Sequence, residues 1–149
     1  MSICKLLYDA GSLPNIAGEL GYLGHNYDLE NYYAAGCFVG FLLDIYSPAK
    51  VGEVYPTSNY GSVFGKNLAA LESDFEAAVA IQTAVQGVDP VAFAAQMDKV
   101  SRTYRSFFPS FSPTAKTLER YRLLDHARLE LLKGNLAQSD TYLALFSQP

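Results

Sequence analysis

DPVAFAAQMDKVSRTYRSF, residues 89–107, is the stretch whose reading decides the fold class. Asp89 is a good helix N-cap, because a carboxylate there accepts from backbone N–H groups that have no partner inside the helix. Pro90 stands at the first helical position, where its missing N–H costs nothing. Phe93, Met97, Val100, Tyr104 and Phe107 follow at steps of four and three, which makes one apolar stripe on an amphipathic helix. Asp98, Arg102 and Arg105 fall off the stripe, toward water. Pro109 closes the segment. A helix with one apolar face needs other elements to cover it.

The flanks repeat helical punctuation. Ser112-Pro113 is a second entry signal, and a helix is predicted from Thr114 to Lys133, stopped by Gly134-Asn135. Leu118, Tyr121, Leu124 and Leu131 mark one of its faces, while Leu123, Leu129 and Leu132 mark others, so it packs on more than one side. Leu136 to Phe146 folds back as a final helix. Upstream, Asn67 caps a predicted helix from Leu68 to Gln86, with Gly87 as its stop. Asp28 caps another, Leu29 to Tyr46, which Ser47-Pro48 is read as ending. Gly36 and Gly40 leave one face of that helix bare, so a neighbour can approach closely. Two short helices are expected before residue 24, near Ile3–Ala10 and Leu13–Leu23. The segment 47–66 has no helical period and is rich in Pro, Gly, Ser and Tyr, so it reads as one long irregular loop with a weak hairpin signal at Val51–Tyr55. The expectation is an all-α, single-domain bundle (1–149) of five to six helices with a loop at about 47–66.

Composition fits that reading. The chain has 149 residues, 50% of them hydrophobic and 17% charged, enough to bury a core and too little charge for a disordered segment. The longest apolar run, Tyr32 to Leu43, is well short of the ~20 residues that cross a bilayer. No secretory signal is read at the N-terminus. Cys4 and Cys37 lack metal-ligand spacing and are expected as free buried thiols, which implies a cytoplasmic location.

Charge is divided by position. Residues 1–98 hold three bases and eleven acids, and residues 99–133 hold eight bases and three acids, within a net charge of −4. Most catalytic chemistry finds no footing. Gly61–Asn67 departs from a phosphate loop, with three residues between its glycines and Asn where a hydroxyl must bind magnesium. His126 is adjacent to Asp125 in a helix, so the two side chains diverge. His25 reads as a turn residue. Glu72 and Glu76, four apart, share a helix face and are the one carboxylate pair to check for a metal or a shared proton. No catalytic residue, metal ligand or cofactor is assigned.

Two surfaces remain. Lys99, Arg102, Arg105, Lys116, Arg120 and Arg122 are the residues a nucleic acid would use, since phosphates need clustered cations. The acidic balance of the whole chain ranks that reading second, and the basic helices are expected to pair internally with the acidic part. Tyrosine is the other signal: seven of the eleven lie between residues 22 and 60. Tyr combines a large rigid contact with one hydroxyl and is enriched at protein interfaces. Tyr55, Asn59, Tyr60, Phe64, Glu53 and Tyr27 are therefore the expected partner-binding residues. The function expected is non-enzymatic: a small acidic inhibitor, immunity-type or adaptor protein, of the kind phages and mobile elements encode. It binds another protein with a basic surface, such as a nucleic-acid-binding machine. No membrane is involved, and a homodimer is compatible. A ligand or enzyme site between helices is the third reading.

Overall fold

The computed structural model describes residues 2–19 and 28–148. Within them the chain is all-α, as the periodicity predicts, with nine helices and no strand among the described residues. The helices are α1 (Ser2–Asp9), α2 (Ile16–Glu19), α3 (Leu29–Ile45), α4 (Pro48–Val54), α5 (Tyr60–Phe64), α6 (Leu68–Ala80), α7 (Pro90–Phe107), α8 (Ala115–Leu132) and α9 (Leu136–Phe146).

α7 follows its sequence signals closely. Asp89 accepts from the N–H groups of Val91 and Ala92, and Phe93, Met97, Val100, Tyr104 and Phe107 are all buried. A short 3-10 turn, Phe108–Ser110, takes the chain into α8. There Thr114, two residues after the Ser112-Pro113 signal begins, is the true cap. Its hydroxyl accepts from the Thr117 N–H while Thr117 returns a bond to the Thr114 backbone. Gly134, at φ +81°, makes the turn into α9.

The count of helices exceeds the five to six expected because segment 47–66 is not one irregular loop. Ser47-Pro48, read as a stop, is also a start. The Ser47 hydroxyl accepts from the Lys50 N–H with Pro48 in the first turn, so α4 occupies the stretch where a hairpin was the alternative. Asn59 caps α5 in the same way through the Ser62 N–H, and Gly65 ends it at φ +73°. These helices are too short for an apolar period to show, which is why composition alone suggested a loop. α6 also stops earlier than expected, at Ala80. Val79 is the last residue of its buried stripe, and beyond it Val85 and Val88 pack against a different part of the core.

That core has two clusters. The first gathers Ile16, Phe38, Phe41, Leu42, Val51, Val54, Phe64, Leu71, Phe75 and Val79 from α2 to α6. The second gathers Phe93, Met97, Val100, Tyr104, Phe107, Leu124, Leu131, Leu143 and Phe146 from α7 to α9. α1 belongs to both: Cys4 lies in the first cluster, Leu6 and Leu7 in the second. Each fully buried Phe or Leu contributes ~1.5–3 kcal/mol of transfer free energy, so α1 is held from both sides. Cys4 and Cys37 are not free thiols. They form a disulfide between α1 and α3, with Cα atoms 6.5 Å apart.

Candidate protein-binding surface

α3 leads from the core to this surface. Its sequence is apolar on nearly every side, as in a helix packed all round. Ala34, Phe38, Phe41 and Leu42 are indeed buried, yet the opposite side faces out. Tyr32 is 67% exposed at one end of it and Leu43 is exposed near the other, while Ile45, in line with the buried residues, is exposed where the helix ends. Tyr33, Gly36, Cys37, Gly40 and Asp44 line a shallow open groove on the same helix. The missing side chains at Gly36 and Gly40 make the groove, since nothing lies within 4 Å of a Cβ added at either.

α4 continues this surface in sequence. Tyr55, at its C-terminal end, is 81% exposed, and Glu53 is exposed beside it in the helix. The other expected contact residues divide differently. Asn59 is committed to capping α5. Tyr60 is half-buried, packs on Phe64 and has its phenol pKa pushed up by burial and by nearby Tyr55. Phe64 is a core residue with its ring centroid 4.4 Å from that of Tyr46. Tyr27 lies outside the described residues, as does His25. Among the described residues of that set Glu53, Tyr55 and Asn59 are exposed, and of these Asn59 spends its side-chain oxygen on the cap. Tyr32, Leu43 and Asp44 were missed; the signal was present in α3, where twelve consecutive residues are apolar or glycine and cannot all be inside.

The electrostatics of the surface follow from what each charge does. Most front carboxylates are already engaged. Asp9 pairs with Lys5, Asp74 with Lys66 and Asp98 with Arg102. Asp28 does not cap α3; it pairs with Arg105, and the hydroxyl of Ser101 on α7 takes over the cap by accepting from the Leu29 N–H at 3.1 Å and donating to Glu30 at 2.7 Å. Glu72 is buried, 7% exposed, and accepts from the N–H groups of Ile16 and Ala17 at the start of α2. Glu76 is exposed, so the Glu72/Glu76 pair does not converge on one site. Asp44, Glu53 and Glu76 make no ion pair among the described residues.

Most bases of residues 99–133 have a partner within the chain, several of them at the surface. Lys99 pairs with Asp140, Arg102 with Asp98, Arg105 with Asp28, and Lys133 with Glu130. Arg120 stacks its guanidinium over Phe146 at 4.4 Å and Phe107 at 5.7 Å. Arg128 donates to Asp125 and to the Tyr33 hydroxyl. Burial works against its charge, but these hydrogen bonds outweigh it and hold the guanidinium protonated more firmly than usual. Beside it, burial raises the Tyr104 phenol well above its ordinary pKa. This Tyr33–Arg128–Asp125 cluster ties α3 to α8. Lys116 and Arg122 are exposed and make no ion pair among the described residues.

Sites for chemistry remain sparse. His126 is exposed and stacks on Tyr142, with ring centroids 5.1 Å apart. Asn67 spends its side chain on the Ala70 N–H, so the start of α6 after Gly61–Lys66 is capped by the chain itself. Among the described residues no three His, Cys, Asp or Glu side chains converge to hold a metal. Set against known protein families, curated proteins and solved structures, the chain matches none of them.

Proposed function

We propose that this protein acts by binding another protein, with no reaction of its own, through the outer surface of α3 and α4. One observation carries the reading: large apolar side chains stand exposed on α3 (Tyr32, Leu43, Ile45) and at the end of α4 (Tyr55), and the exposed carboxylates of the same two helices, Asp44 and Glu53, make no ion pair among the described residues. Exposed Tyr with a polar rim is the composition of protein interfaces. Unpaired carboxylates attract a basic partner and raise the encounter rate. The protein is read as an inhibitor, immunity-type or adaptor module whose partner presents a basic face of the kind that otherwise holds nucleic acid. The internal pairing of most bases in 99–133 speaks against a nucleic-acid surface there, leaving Lys116 and Arg122 as its remnants.

Among the described residues no helix is long and apolar enough to cross a membrane. The cytoplasmic address loses its original basis, because it rested on free thiols; a lasting disulfide fits an oxidising compartment better.

The test begins with partner capture from the native host, wild type against Tyr32→Ser with Tyr55→Ser, followed by affinity with the purified partner. The expected result is a loss of at least about tenfold in affinity, ~1.4 kcal/mol, with an unchanged thermal midpoint. Added salt should weaken the wild-type complex further. Equal affinity for the double variant would sink the reading. Salt-sensitive retention on DNA or RNA that disappears with Lys116→Ala and Arg122→Ala would replace it by the nucleic-acid alternative.

A further inference from the structure

Residues 2–19 form a strap along one side of the first cluster. α1 lies against α3, α6 and α7, and α2 lies against α3 and α6. The strap is tied at two points. Cys4, fully buried, is bonded to Cys37 of α3. Glu72 of α6 holds the opening N–H groups of α2 at Ile16 and Ala17. Between these ties Lys5 donates to the Ala80 carbonyl at 3.1 Å. Cys4 and Ile16 share their cluster with Phe38, Phe75 and Val79, so the strap covers apolar surface of α3 and α6. The two sulfur-bearing residues differ in access. Cys4 has no exposed surface, whereas Cys37 is half-buried and lines the open groove with Tyr33, Gly36, Gly40 and Asp44.

We propose that the strap is a thiol-operated cover: reducing Cys4–Cys37 frees α1 from α3, leaves α2 held to α6 through Glu72 alone, and so loosens the cover over the apolar face between α3 and α6, while α1 keeps its hold on α7 through Leu6 and Leu7. The co-reactant is a thiol reductant. Its thiolate attacks the accessible Cys37 sulfur, the S–S bond breaks, and the electron pair passes to the Cys4 sulfur, which takes a proton. A second thiolate attacks the mixed disulfide, freeing Cys37 as a thiol and leaving the reductant oxidised to its own disulfide. Two reductant thiols are consumed and two protein thiols appear. The effect is directional because α1 sits in both clusters. Its ties to the first are the covalent one and the single Lys5 bond to the Ala80 carbonyl, and its tie to the second is the buried pair Leu6 and Leu7, which the reaction leaves in place. This inference does not depend on the docking reading above.

Hydrogen exchange followed by mass spectrometry on the full chain, with and without dithiothreitol, tests it. Reduction is expected to speed exchange in residues 2–19 and along α3 and α6 by up to roughly a thousandfold, the upper limit that losing a disulfide across a loop of this size sets for local opening. Peptides from α8 and α9 should keep their protection. Glu72→Gln, with the disulfide intact, should speed exchange around residues 12–19 alone. The proposal is overturned if both cysteines of the air-exposed protein react with an alkylating reagent before reduction. It is equally overturned if reduction leaves the strap unchanged, if reduction loosens α8 and α9 to the same degree, or if Glu72→Gln leaves residues 12–19 as protected as before.

Discussion

The two clusters bury the same kinds of side chain, but they are tied together in opposite ways. The second is built from α7, α8 and α9, of 18, 18 and 11 residues, whose order in the chain is their order in space. Within the group its ties are local, Asp98 to Arg102, Asp125 to Arg128 and Lys99 to Asp140, and the ties that leave the group, from Arg105 to Asp28, Ser101 to Leu29 and Glu30, and Arg128 to Tyr33, all end on or just before α3. The first is assembled around α3 and α6 from pieces of four to eight residues, α1, α2, α4 and α5. Helices that short do not persist alone in water. Their ties are accordingly long in sequence: a disulfide across 33 residues, and Glu72 reaching back 56 residues to Ile16. The comparison teaches that one half holds itself through periodicity, the other through single specific contacts.

The hardest test of that contrast lies in the cores themselves. Phe75 and Phe93 are both fully buried, one in each cluster. Either change to Ala should cost ~3–5 kcal/mol, with Met97→Ala at ~2–5 kcal/mol. Because α1 is shared, both variants should still unfold in one step, read as coincident urea transitions by circular dichroism and tyrosine fluorescence. Two separated transitions in the Phe75 variant would show that the clusters are independent units and that α1 does not join them.

Removing single ties comes next. Replacing Cys4 and Cys37 by Ala opens a loop of 33 residues, and chain entropy gives a loss of about 4 kcal/mol for it. No comparable single tie outside the core exists among the described residues of α7–α9. Glu72→Gln keeps the shape but replaces a carboxylate that accepts two N–H groups by a neutral amide, and should cost ~1–3 kcal/mol. Urea midpoints for both variants against wild type measure these effects. A disulfide-free protein as stable as wild type would remove the contrast between the halves.

The same contrast explains what was legible in the sequence. α7, α8 and α9 could be read nearly to the residue, because a stripe such as Phe93–Met97–Val100–Tyr104–Phe107 repeats often enough to show its period. α4 and α5 could not, since five to seven residues hold barely two turns. Only Ser47-Pro48 and Asn59 announced them, and Ser47-Pro48 can stop one helix and start the next with the same atoms. Phe64 and Tyr60 looked like surface aromatics because a loop was assumed around them. Tyr32 looked like core because its neighbours are apolar, and no pattern in α3 distinguishes the buried side from the bared one. The pairing of Cys4 with Cys37 and the bond from Glu72 to α2 depend on approach in space across more than 30 residues, which no local signal carries. The charge split pointed to pairing of the basic helices with the acidic front, but only Arg105 with Asp28 and Arg102 with Asp98 pair that way; Lys99, Arg128 and Lys133 pair with Asp140, Asp125 and Glu130 of their own half.

The smallest effect expected concerns acid. Asp140 on α9 pairs with Lys99 on α7, and the hydrogen bond from Lys99 holds its carboxyl below the usual carboxylate range. A group whose pKa is lowered in the folded state adds stability at pH values above its unfolded pKa. That stability is lost as pH falls from the ordinary carboxylate range through the lowered folded value. Both side chains are more than half exposed, so water and salt screen the pair, and its worth is below ~1 kcal/mol. Asp140→Asn should therefore fall slightly below wild type near pH 6 and approach it as pH drops below the carboxylate range, with the gap closing in high salt. In the front half, Asp44 and Glu53 make no ion pair among the described residues, so Asp44→Asn and Glu53→Gln should leave the urea midpoint near that of wild type in low and in high salt. A gap appearing there would mean that these carboxylates are tied into the fold after all, and the division between a self-paired half and a half with charge to spare would fail.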